Sequence, residues 1–177
     1  MPSYSPSTQE RVGDLIHGLR VETGVYPVLT YHHQDQWELF HIYGLIKVMH
    51  LFIEFITANG GGATLLQFNY TFTTPAITVK PLTAVSGSIA ALVQGSRIVC
   101  LGGAVATAAG ITVATGGCSD LATTPVLLGG VGHIGTIGML TTTADAVSGT
   151  AQAFLYYVPM SDGAYAEANA LPTTPPG

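Results

Sequence analysis

Apolar and polar positions alternate along much of this chain, and the alternation is clearest between Gln36 and Thr73. Trp37, Leu39, His41 and Tyr43 fall on one side of an extended segment, and Glu38, Phe40, Ile42 and Gly44 on the other. Beyond Gly44 both sides turn apolar. Ile46, Val48, His50, Phe52, Glu54 and Ile56 share one side, while Leu45, Lys47, Met49, Leu51, Ile53 and Phe55 share the other. Such a strand is expected to be buried on both faces, between two sheets or at a subunit contact. A helix would also align Leu45, Val48, Met49, Phe52, Phe55 and Ile56, but the β-branched content favours strand. Asn59-Gly60-Gly61-Gly62 supplies a reversal, so the segment is predicted to fold back on a strand over Thr64–Thr73.

The flanking regions extend this pattern. Ser7 with Glu10 forms a capping-box signature, and Val12, Leu15, Ile16 and Leu19 recur at helical spacing, which predicts a short amphipathic helix over Thr8–Arg20. Gly13 and Gly18 weaken it, so it must dock to persist, and Met1–Pro6 is expected to order only by contact. Further strands are predicted at Val25–His32, Ile77–Lys80, Ser88–Gln94, Arg97–Leu101, Ile111–Ala114 and Val126–Leu128. A final hairpin is predicted from Ile134–Thr143 and Gly149–Val158, closed by Pro159. The Gly pairs between Gly102 and Gly130 are too irregular for a repeat. These elements make an all-β fold, a jelly-roll-like sandwich or barrel with a short N-terminal helical arm. Its expected divisions are an arm over 1–24, a β domain over 25–160 and a Pro-rich tail over 161–177.

Composition changes the picture in one respect. Charged residues make up 8% of the 177, where about 25% is usual for soluble domains. Lys80 and Arg97 are the only charges between Phe55 and Ser119, so much of that surface is expected to be covered by copies of the chain or by a partner. The net charge of −5 and the scatter of Arg11, Arg20, Lys47, Lys80 and Arg97 argue against a nucleic-acid face. Leu39–Ala58 is long and apolar enough to test as a membrane span. Lys47 and Glu54 near its middle would each cost roughly 2.5–3.5 kcal/mol there, so a buried soluble strand is the better reading and no membrane partner is expected. The N-terminus lacks the pattern of a secretory signal.

Candidate chemistry is sparse. Cys100 and Cys118 form no metal-ligand pair, and their spacing does not demand a bridge. Gly130–Gly135 matches GxGxxG, but the residues after it, TIGMLTTT, read as strand and no acidic residue lies about twenty positions on, so nucleotide binding is not expected. His32, His33, His41 and His50 show no firm ligand spacing and read as packing residues rather than metal ligands. There is no GxSxG or HExxH motif. Glu54, the one carboxylate within an apolar strand, reads as half of a structural ion pair. Asn69-Tyr70-Thr71 matches a glycosylation sequon but lies in a predicted strand. No catalytic residue, cofactor or metal is therefore assigned, and the chain reads as a packing and assembly protein rather than an enzyme.

Two segments carry a resemblance. LFHIYGLIKVMHLFIEFIT with ATLLQF, and GTIGMLTTTADAVSGTAQAFLYYVPMSDGAYAEA, resemble a family of small β-rich proteins of tailed-phage virions, most closely capsid cement (decoration) proteins. The resemblance implies a structural protein on the outer surface of a bacteriophage head. Its implied partners are copies of itself, as a homotrimer, and the major capsid protein. Trp37, His41, Tyr43, Phe52 and Tyr157 are the expected subunit-contact residues. A tail, neck or baseplate component, or a glycan- or receptor-binding β module, are the alternative roles.

Overall fold

The computed structural model describes residues 18–27, 36–61, 64–72, 78–100, 110–112, 125–142 and 146–170. Among these residues there is no helix, and the strands pair antiparallel. The strands are β1 (Leu19–Glu22), β2 (Tyr26–Pro27), β3 (Gln36–Phe55), β4 (Gly60–Gly61), β5 (Leu65–Phe72), β6 (Thr78–Pro81), β7 (Arg97–Val99), β8 (Gly110–Thr112), β9 (Val126–Thr142), β10 (Ala146–Ser148), β11 (Thr150–Pro159) and β12 (Tyr165–Ala168). The main sheet runs β1-β11-β3-β9-β5-β6. In addition, β12 and β7 pair with β3, β2 pairs with β11 and β8 pairs with β7.

The 20-residue β3 is the spine. On one side it pairs with β11 over Ile46–Phe55 and then with β12 over Phe40–Tyr43. On the other it pairs with β9 and, at Phe52–Glu54, with β7. Gly44 marks the changeover. It has φ of 75°, and the turn from Met160 to Ala164 packs on it, with the Met160 amide donating to the Leu45 carbonyl at 2.8 Å and the Leu45 amide donating to Ser161 Oγ at 3.1 Å. Opposite, β9 makes an excursion at Gly130–His133 between its pairings with Leu45 and Tyr43.

β3 does not run straight. At about 3.3 Å per residue, Trp37 and Phe55 would lie roughly 60 Å apart on an extended strand. Yet Tyr26, paired with Ala151 across from Phe55, stacks on Trp37 with ring centroids 5.8 Å apart. The sheet therefore doubles over. One half holds β1, β11, the C-terminal part of β3, the first residues of β9 (126–129), β7 and β8; the other holds β12, the N-terminal part of β3, the rest of β9, β5 and β6. Their inner faces enclose one core of Phe40, Phe55, Phe68, Tyr70, Leu51 and neighbours. Residues 82–96 strap the two halves together. The Ser86 amide donates to the Leu66 carbonyl, the Ile89 amide to the Thr64 carbonyl and the Gly95 amide to the Phe55 carbonyl, while Ile89 and Leu92 insert into the core.

Several sequence-based expectations are corrected by this topology. The predicted Gln36–Thr73 hairpin is not one, because β9 lies between β3 and β5; the predicted C-terminal hairpin likewise has β3 between β9 and β11. The two long sequence-local reversals thus feed non-local pairing. Ser88–Gln94 is not a strand but part of the strap. Of the predicted helix, residues 8–17 lie outside the described residues, whereas Leu19 and Arg20 belong to β1, where Leu19 and Val21 face inward and Arg20 and Glu22 outward. The strand at Val25–His32 is seen as Tyr26–Pro27, with 28–32 outside the described residues. Residues 165–168, expected in the C-terminal tail, form β12 of the sheet.

The apparent two-sided burial of β3 also has a different cause. Leu39 and Met49 are bulged residues, each left without a partner where its neighbours pair with consecutive residues of β9 or β11. Each bulge shifts the alternation by one. The buried positions run Trp37 and the bulged Leu39, then Phe40 and Ile42, then Ile46 and Val48, then Leu51, Ile53 and Phe55. A single inner face, switched twice in parity, reads in sequence as two apolar faces.

Candidate interaction surface

The switch in parity after Met49 leaves His50, Phe52 and Glu54 on the outer face of the first half. β11 contributes Tyr156, Phe154 and Gln152 at the paired positions, β1 contributes Arg20 and Glu22, and β7 contributes Val99 and Arg97, with Phe154 and Val99 themselves covered by their neighbours at 9% and 7% exposure. The rings form a ladder. Phe52 stacks on Phe154 with centroids 4.9 Å apart and on Tyr156 at 6.3 Å, and His50 meets Tyr156 edge-on at 6.1 Å. The Arg97 guanidinium lies 5.3 Å from the Phe52 centroid and that of Arg20 lies 5.2 Å from Phe154, so each end of the Phe pair carries a cation. Arg97 Nε donates to Glu54 at 2.8 Å, which places the carboxylate noted in the sequence in a part-exposed ion pair; Arg20 pairs with Glu22. Below the ladder, Lys47 lies between Val158 and Leu127, the latter 60% exposed, and makes no ion pair among the described residues.

The other half presents a second outward cluster. Tyr43 stacks on Tyr165 at 4.4 Å and donates to Glu167 at 2.7 Å, and that hydrogen bond to a carboxylate pushes the Tyr43 hydroxyl above its ordinary range. Ile134 is exposed across from Tyr43, His41 is paired with Glu167 across β12, and Glu38 is exposed one row further along.

Of the five residues predicted for subunit contact, the structure leaves three with surface. Phe52 lies in the ladder, and His41 and Tyr43 lie on the second cluster. Trp37 and Tyr157 are core residues, 5% and 3% exposed. Tyr157 has a task inside the fold: its hydroxyl accepts the Ala166 amide at 3.1 Å, holding β12 against the underside of β11. Burial raises its pKa, opposed by that bond. Phe154, Tyr156, Arg20, Arg97 and Tyr165 were not singled out from sequence. Phe154 and Tyr156 do alternate with Leu155 and Tyr157, but nothing in the pattern says which pair faces out.

No group of three or more His, Cys, Asp or Glu close enough to hold a metal occurs among the described residues, and His41 and His50 lie on the outer faces of different halves. Gly130–Gly135 lies within β9 and leads into strand, not helix. Cys100 is buried, and Cys118, His32 and His33 are outside the described residues. No helix among the described residues is long and apolar enough to cross a membrane. No family model, curated protein or solved structure matches this chain.

Proposed function

We propose that this is a structural virion protein of a tailed bacteriophage, a capsid cement protein that sits on the outside of the head and bridges major capsid proteins. In this reading the doubled-over sheet is a jelly-roll-like sandwich and the assembling unit is a homotrimer. The observation that carries it is the outward ladder of His50, Phe52, Phe154 and Tyr156, framed by Arg20 and Arg97. Aromatic residues and arginine are the groups enriched in the centres of protein–protein interfaces, and a chain with 8% charged residues has little else to keep such a face in water. The phage-protein resemblance of the two long β segments supports the same reading.

The glycan-binding alternative leaned on Trp37 and the tyrosines. Trp37 is buried, while Tyr43 and Tyr165 stack on an outer face. Binding of the isolated protein to a glycan array, with none to empty capsids, would favour that role instead. A tail or baseplate role shares every other feature and is separated by counting. Quantitative mass spectrometry of purified particles should find hundreds of copies per virion, retained on tailless heads. A dozen copies or fewer, or loss with the tails, would overturn the cement assignment.

A further inference from the structure

The two outward clusters differ in charge. The face around the Phe52–Phe154 ladder carries Arg20, Lys47 and Arg97 against Glu22 and Glu54, an excess of one cation. The face around Tyr43–Tyr165 carries Glu38 and Glu167, and neither meets a cation among the described residues. Lys80 lies across the sheet on the edge strand β6. Each cluster has an aromatic pair at its centre, and the two lie on opposite outsides of the doubled-over sheet.

We propose that the ladder face of one copy docks on the Tyr43–Tyr165 face of the next, so that copies of this chain associate head to tail. The charges select this pairing. If like faces met, the cation-rich face would oppose its own cations, or Glu38 and Glu167 would oppose each other, and like charges at a desolvating contact are strongly unfavourable. Joining unlike faces sets Lys47, the cation left over once Arg20 and Arg97 are paired with Glu22 and Glu54, against the two carboxylates of the other face. It also covers the part-exposed Phe52, the Tyr43–Tyr165 pair and the exposed side chains of Leu127 and Ile134. Because the two faces are different surfaces, the contact is heterologous. It closes into a ring when the rotation per copy divides a full turn, and a trimer is one such closure. This contact gives the proposed trimer its geometry but does not depend on the virion assignment.

Charge exchange in the full-length chain tests it by sedimentation velocity. K47E/R97E and E38K/E167K should each weaken self-association by about ten-fold or more, since either puts like charges across the contact. The four-fold variant combining them restores opposite signs, and the parent's formal net charge, and should associate within about three-fold of the parent. K80E changes net charge away from both faces and should associate normally. Parent association should also weaken between low and high salt. Single-face variants that assemble like the parent, a four-fold variant no better than either, or a parent that stays monomeric would each overturn the contact. A monomeric parent that still decorated heads would remove this contact and leave the cement role standing. An assembling parent absent from heads would do the reverse.

Discussion

Single residues decide the bend and the buried polar balance. Gly44 and Gly129 have φ of 75° and 84°, and a Cβ on Gly129 would sit 2.0 Å from the Gly44 carbonyl oxygen. Gly129→Ala therefore combines left-handed strain with a backbone clash, and urea unfolding should show a loss of about 3 kcal/mol or more. Gly132, also at positive φ, has open space around it, and Gly132→Ala should cost only the conformational term, about 1–2 kcal/mol. Tyr70 presents the opposite case. Its hydroxyl is buried with no hydrogen-bond partner among the described residues, so Tyr70→Phe should be neutral or slightly stabilising at pH 7. Burial raises the pKa of Tyr70, as it does for Tyr157. A raised folded-state pKa means that the stability linked to the protonated phenol is complete below the unfolded value near 10 and is lost as pH rises through the folded value. The protein should accordingly lose stability in alkali above about pH 10, and Tyr70→Phe should blunt that loss in a pH series of unfolding curves.

At the scale of the element, the bulges on β3 give neighbouring residues opposite roles. Ile53 faces the core at 1% exposure while Phe52 lies in the outward ladder. Ile53→Asp buries an unpaired carboxylate and should cost more than about 3 kcal/mol or prevent folding. Phe52→Asp forfeits stacking on Phe154 and the Arg97 contact, which is about 1–2 kcal/mol, and should leave a folded chain with impaired association. The alternation read from the sequence located this strand correctly but treated both of its sides as buried. A one-residue slip reverses which side chains point inward, and a bulge is such a slip with no mark in the apolar pattern.

For the molecule as a whole, β3 and β9 each have strands on both sides, while β1 and β6 are sheet edges. Native-state hydrogen exchange should be slowest for the amides of β3 and β9 near Phe40 and Ile137 and fastest in β1 and β6, because edge strands open without breaking the core. Equal protection across the sheet would contradict this order of strands. The same order explains why both predicted hairpins failed. β9 is inserted between β3 and β5, and β3 between β9 and β11, so the long strands pair with partners far along the chain. Local turn signals such as Asn59-Gly60-Gly61 report that the chain reverses, not which strand it meets next.

From sequence alone, the all-β class follows, because β-branched and aromatic residues recur at strand spacing and Gly and Pro punctuate them. The shortage of charge follows as well, and with it the expectation that the surface is used for contact. Phe52, His41 and Tyr43 were expected as contact residues together with Trp37 and Tyr157, and nothing in the alternation set the first three apart from the last two. Tertiary structure alone decided that Trp37 and Tyr157 belong to the core, that Arg20 and Arg97 cap one aromatic ladder, and that β3 doubles over at Gly44. Each of these depends on which strand lies beside which and on where a bulge shifts the register. Both are settled by contacts between residues distant in the chain, and a pattern of neighbours in sequence carries no record of them.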